Sequence, residues 1–137
     1  MKKKNTKTQS ERKADLFVRL FPENAVQKEM NKLPTPERDA FIFYLSQLAK
    51  HEKPGCDTDQ LISIHKDVYE LIINGHPAYR CVYTVEVTGQ IVVLHACKKT
   101  TNGADSQIKN TVELRRKALR SELKAEKQKA KKATKSK

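Results

Sequence analysis

Between Val68 and Cys97 the chain is dense in β-branched, aromatic and aliphatic residues, and the run breaks at Asn74-Gly75-His76-Pro77 and at Thr88-Gly89. This pattern predicts three consecutive strands, Val68–Ile73, Tyr79–Val87 and Gln90–Cys97, in an antiparallel meander. A two-residue loop at Thr88-Gly89 would set the register. Thr84 would then face Val93, Val82 would face His95 and Arg80 would face Cys97. Side chains alternate along a strand, so one face carries Arg80, Val82, Thr84, Val93, His95 and Cys97, with Lys99 following. The other carries Cys81, Tyr83, Val85, Val92, Leu94 and Ala96, and is the expected core.

Outside the meander the spacing changes. Ala14–Phe21 is a short apolar run ended by Pro22, an expected edge strand. In Glu23–Leu33, Val26, Met30 and Leu33 recur at i, i+4 and i+7, one stripe of a helix. Pro34 stops it. Thr35-Pro36-Glu37 restarts a helix with an N-cap, a proline at the first helical position and an acid in the first turn. Its stripe is Phe41, Tyr44, Leu45 and Leu48. Cys56–Asp67 reads as a polar connector. After the meander Asn102 or Asp105 can cap a last helix, whose stripe is Ile108, Val112, Leu119 and Leu123. Lys124–Lys137 keeps no apolar residue except alanine and is expected to fray. The expected fold is α+β: an N-terminal strand, a helical hairpin, a three-stranded antiparallel meander and a C-terminal helix. One domain, 14–123, would lie between a disordered basic arm, 1–13, and a basic tail, 124–137.

Charge sharpens that division. The formal net charge is +12, but residues 1–13 carry +5 and residues 115–137 carry +9, leaving 14–114 at −2. Basic ends of this kind either solubilise the chain or draw it to phosphate backbones. No apolar run approaches the roughly 18–20 residues of a membrane span, so no membrane partner is expected. The three cysteines, Cys56, Cys81 and Cys97, lack C-x-x-C spacing, and Cys81 and Cys97 fall on opposite strand faces. A reducing, cytoplasmic setting follows.

The candidate chemistry gathers at one end of the second hairpin. Arg80, His95 and Lys99 share a face there, with Lys98 beside them and His65-Lys66 in the connector just before the sheet. The four histidines, His51, His65, His76 and His95, lack metal-ligand spacing, and no cofactor is expected.

In element order and in several motifs the chain resembles the RelE/ParE toxin superfamily, and its phage-derived HigB-like branch most of all. The resemblance covers roughly Leu16–Leu119. It is carried by Tyr69-Glu70-Leu71, Tyr79-Arg80, and Ile91-Val92-Val93-Leu94-His95 running into Lys98-Lys99-Thr100. It implies the toxin of a type II toxin–antitoxin pair, with a cognate antitoxin as partner. Most RelE and HigB members cut messenger RNA on the ribosome, without a metal, while ParE members poison DNA gyrase. By the resemblance Arg80 would hold the scissile phosphate, Lys98 and Lys99 the flanking phosphates, and His95 or His65 the proton in transit, with Lys66 beside His65. Where RelE-type members carry lysines on the first central strand, this chain has Glu70 and Ile72. Three functions therefore stay open: a metal-independent endoribonuclease, a non-catalytic gyrase poison, and a degenerate toxin retained as a nucleic-acid-binding domain.

Overall fold

Two prolines punctuate the N-terminal half of the fold. Pro22 ends strand β1 (Phe17–Leu20) and Pro34 separates helix α1 (Glu23–Lys32) from helix α2 (Thr35–Ala49). The computed structural model describes residues 14–99 and 104–135. The expected arm, Thr100, Asn102 and the final two residues lie outside them. Val26 and Met30 of α1 and Phe41 and Leu45 of α2 are buried, as their spacing predicts. Thr35 is not the N-cap of α2. Pro34 holds that position and no side chain caps the helix, so the prolines set its start through backbone shape alone.

The strands that follow are β2 (Asp57–Gln60), β3 (Val68–Ile73), β4 (Ala78–Thr84) and β5 (Gln90–Lys99), before helix α3 (Ala104–Lys135). They form one five-stranded sheet in the order β1-β5-β4-β3-β2, in which β1 runs parallel to β5 and the other pairs are antiparallel. β2 lies in the expected connector. Its four residues, Asp-Thr-Asp-Gln, are all exposed, so no hydrophobic pattern marks it. It exists because β3 would otherwise present an open row of backbone donors and acceptors, and a charged edge strand discourages further pairing.

The sheet has two buried faces, not one. The α1–α2 hairpin covers the face carrying Leu71, Cys81, Tyr83, Ile91, Val93 and Ala96. On the opposite face Val68, Val82, Val92 and Leu94 pack against Ile108, Val112 and Leu119 of α3. The expectation of a single core face was therefore wrong, because α3 lies on the face assigned to chemistry. The apolar stripe of α3 stops at Leu123, while the helix continues to Lys135. Arg–Glu pairs strap it to the body, among them Arg19 Nη2 to Glu122 at 3.0 Å.

The turn between β4 and β5 is longer than two residues, since β4 ends at Thr84 and Gly89, at φ +78°, closes the loop. Val82 pairs with His95 and Arg80 with Cys97 as expected, but Tyr83 pairs with Val93 and Thr84 with Val92. Leu94 is thus the extra residue of a β-bulge. On β5 the bulge exchanges the faces of the residues between it and the turn, while Tyr83 of β4 keeps its expected face. Val92 moves to the α3 side and Val93 to the hairpin side.

Candidate active site

The bulge leaves backbone groups that need partners. β1 pairs with β5 only as far as Leu20 opposite Val93, because Pro22 ends the strand. Beyond that point side chains take its place. Glu29 of α1 accepts the Ala96 N–H at 3.1 Å, and Arg115 of α3 donates through Nη1 to the Leu94 carbonyl at 2.8 Å. The two also bind each other as a fork, Arg115 Nη1 to Glu29 Oε1 at 2.9 Å and Nη2 to Oε2 at 2.8 Å. Buried backbone groups are rarely left unpaired, and here a carboxylate and a guanidinium finish the edge that a strand began.

His95 sits at this break in alternation. Its Nδ1 lies 3.0 Å from Glu29 Oε1. Burial pushes the Glu29 carboxyl upward, but the hydrogen bonds from His95 and Arg115, the charge of His95 and the Ala96 N–H outweigh it and hold the group at about 2. An ionised carboxylate only accepts, so the 3.0 Å contact with Glu29 puts the proton on Nδ1; Arg115 Nη1 lies 3.4 Å from the same nitrogen, but its shorter bonds go to Glu29 and the Leu94 carbonyl. A neutral His95 therefore keeps Nε2 as its lone-pair nitrogen, the form a general base needs.

His95 lines a hollow of about 450 Å3 with Lys32, Leu33, Tyr79 and Lys98. Cys97 lines it too, but burial pushes its thiol up to about 11, so it is no nucleophile near neutral pH. Tyr79 and Lys98 are register partners across β4 and β5, which is why they meet.

Arg80 and Lys99 open elsewhere. They line a second hollow, of about 470 Å3, with Asp59, Glu70 and Lys109, between the sheet and the first turns of α3. Arg80 Nη1 donates to Glu70 Oε2 at 2.9 Å, and among the described residues its buried Nε has no acceptor. Glu70 is 4 % exposed. Burial pushes its carboxyl above the ordinary range, with the charge of Arg80 opposing and that of Asp59 adding to the rise.

His65 and Lys66 stand apart from both hollows. Arg80 pairs with Ile72 at one end of β3 and β4, whereas Thr84 pairs with Val68 at the other. Arg80 and Thr84 are thus separated along β4 by about 13 Å at strand rise. His65 precedes Val68, and its Nδ1 accepts the Asp67 N–H at 3.0 Å. A neutral His65 therefore bears its proton on Nε2, which faces Glu86 at 3.8 Å. Glu86 is itself bound by Arg116 of α3 at 2.7 Å and by the Thr84 hydroxyl at 2.8 Å. Lys66 is exposed, and its carbonyl accepts from Gln60.

The six candidates thus divide into His95 with Lys98, Arg80 with Lys99, and His65 with Lys66. The residues that sequence reasoning missed are Glu29 and Arg115. A signal was present: Glu29 lies three residues after Val26, and Arg115 falls between Val112 and Leu119. Both charges therefore sit on the apolar stripe of their helices, where each needs a partner of opposite sign.

A helical hairpin over a meander, a parallel N-terminal strand and a last helix across the second face define a small α+β domain of RelE-like build. The sequence matches the family described as Phage derived protein Gp49-like (DUF891) over residues 28–117, and the chain belongs to that family, which is associated with RelE-like toxins of toxin–antitoxin pairs. No match is found among curated proteins or among solved structures.

Proposed function

We propose that the chain is the toxin of a type II toxin–antitoxin pair, a HigB-like, metal-independent endoribonuclease that cuts messenger RNA on the ribosome. One observation carries this reading. In the second half of β5, His95 is fixed by Glu29 with Nε2 as its basic nitrogen, lines a hollow with Lys98, and lies two residue pairs along the sheet from Arg80. Nε2 takes the proton of a ribose 2′-hydroxyl as its oxygen attacks the adjacent phosphorus. The P–O5′ bond breaks, and the imidazolium returns that proton to the leaving 5′ oxygen. The products are a 2′,3′-cyclic phosphate and a 5′-hydroxyl, so the step balances without another reactant. Lys98 supplies charge against the crowded phosphorane, while Arg80, whose planar fork suits phosphate oxygens, and Lys99 hold the phosphate of a neighbouring nucleotide from the second hollow. Of the two histidines His95 is the better base, because the neutral form of His65 is protonated on the nitrogen that it does not offer to its own backbone.

A cognate antitoxin is the expected partner, and the cytoplasm the expected setting. The test is induced expression of wild type beside Arg80→Ala and His95→Gln, with transcript 5′ ends mapped within minutes. New in-frame cuts in translated messages, absent from both variants, are expected. The Arg80–Glu70 pair favours a second reading, the non-catalytic ParE type, because it occupies the guanidinium. Growth arrest with intact messages and gyrase–DNA breaks would establish that reading. No growth effect with salt-dependent nucleic-acid binding would leave a degenerate toxin.

A further inference from the structure

We propose that the hollow between the end of α1 and the last residues of β5 is a subsite for one nucleotide of unpaired RNA. The base lies against Tyr79 and Leu33, the phosphate between Lys32 and Lys98, and the ribose hydroxyl at His95, which Glu29 positions. This rests on the endonuclease reading and extends it by naming what the site holds.

The size and the lining both fit. About 450 Å3 falls within the range of small-molecule sites. One wall is apolar and aromatic: Leu33 is buried, Tyr79 is half-buried, and both pack into the hairpin-side core, so the ring is held in place. The rim is cationic. Lys32, the last residue of α1, and Lys98 of β5 are exposed, and they reach the hollow from different elements. Unpaired bases are recognised by stacking on aromatic side chains, with cations on the backbone. Two carboxylates, Asp59 and Glu70, line the Arg80 hollow, whereas Glu29, the carboxylate lining the first, has its charge met by the Arg115 fork. The Arg80 hollow is the better place for a neighbouring backbone segment that Arg80 can reach.

Glu29 is a positioning residue. Its carboxylate is held by the Arg115 fork and the Ala96 N–H, so it cannot swing away from His95. The imidazole is thereby kept in one tautomer, with Nε2 as its basic nitrogen.

The experiment is a titration of the full chain with uridine and adenosine 3′-monophosphates, read by calorimetry and by resonance shifts. Saturable binding with shifts at Tyr79, His95 and Lys98 is expected. Tyr79→Leu should weaken it roughly ten-fold, and Tyr79→Phe, which keeps the ring, should restore it. Lys32→Gln should reduce both affinity and salt dependence. Inorganic phosphate binding as tightly as the nucleotides, shifts centred on Lys99 and Ser106, or equal losses in the Leu and Phe variants would overturn the subsite. In Glu29→Gln the nitrogen spectrum of His95 should change from one tautomer to a mixture, and cleavage should lose kcat more than KM. An unchanged tautomer would remove the role given to Glu29. Nucleotide binding without cut messages would sink the endonuclease reading and leave the subsite standing. Cut messages without nucleotide binding would do the reverse.

Discussion

Two carboxylates, half-buried Glu29 and buried Glu70, each hold one of the candidate functional side chains, yet their protons respond in opposite directions. Glu29 accepts from His95, from the Ala96 N–H and twice from Arg115, and its carboxyl falls to about 2. Glu70 accepts from Arg80 at 2.9 Å, and burial lifts its carboxyl above the ordinary range. Both groups lose water. What separates them is how many donors the fold supplies in its place. The Glu29 cluster is a finished network that ties α1, β5 and α3 together. The Glu70–Arg80 pair is under-supplied, with Arg80 Nε still lacking an acceptor among the described residues. The first is built to stay fixed. The second leaves one guanidinium donor unspent.

The sharpest way to break this contrast is Arg115→Leu. It leaves Glu29 half-buried without its fork and the Leu94 carbonyl without a donor, and should cost about 3 kcal/mol in urea unfolding. A loss below about 1 kcal/mol would mean that the network carries little. Adding Glu29→Leu should recover part of that loss, since a pair removed whole costs less than a pair half removed.

Acid titration gives the next effect. The folded-state value of Glu29 lies below its ordinary 4.5, so its contribution is complete above about 4.5 and is lost as pH falls toward about 2. That loss should be of the order of 2 kcal/mol once residual solvent is allowed for, and Glu29→Gln should flatten this part of the stability–pH curve. Glu70 has the opposite sign. Its folded-state value is raised, so its ionised form weakens the fold, and stability should be regained as pH falls through that value toward 4.5. Glu70→Gln should remove the gain while changing stability at pH 7 by no more than about 1 kcal/mol. A large loss at pH 7 would place Glu70 with Glu29. The smallest effect belongs to His65→Asn, expected within about 0.5 kcal/mol because the 3.8 Å separation from Glu86 is too long for a hydrogen bond.

Much of the fold was legible because apolar spacing reports burial directly. Val26 and Met30, Phe41 and Leu45, and Ile108, Val112 and Leu119 are buried at the positions their periods assign. β3 runs from Val68 to Ile73 as the pattern predicts. The candidate site was legible only as a list of residues. Alternation placed Arg80, His95 and Lys99 on one face, and the register near Arg80–Cys97 and Val82–His95 is the expected one. Leu94, however, adds a residue at the bulge, and His95 turns to the seam between α1 and α3. Lys98 and Lys99, adjacent in sequence, then open into different hollows.

By itself the sequence determined the helices, the central strands and the cysteines' separation to opposite faces, and it named the candidate cations and histidines. These depend on periods of two and 3.6 and on proline, which act within a few residues. Tertiary structure alone decided that β2 forms, that α3 closes the second face, and that Glu29 and Arg115 complete the edge of β5. Those outcomes depend on backbone groups left unpaired by one element and met by another far along the chain. Glu29 and Arg115 lie 86 residues apart, and no local pattern can report a debt settled at that distance.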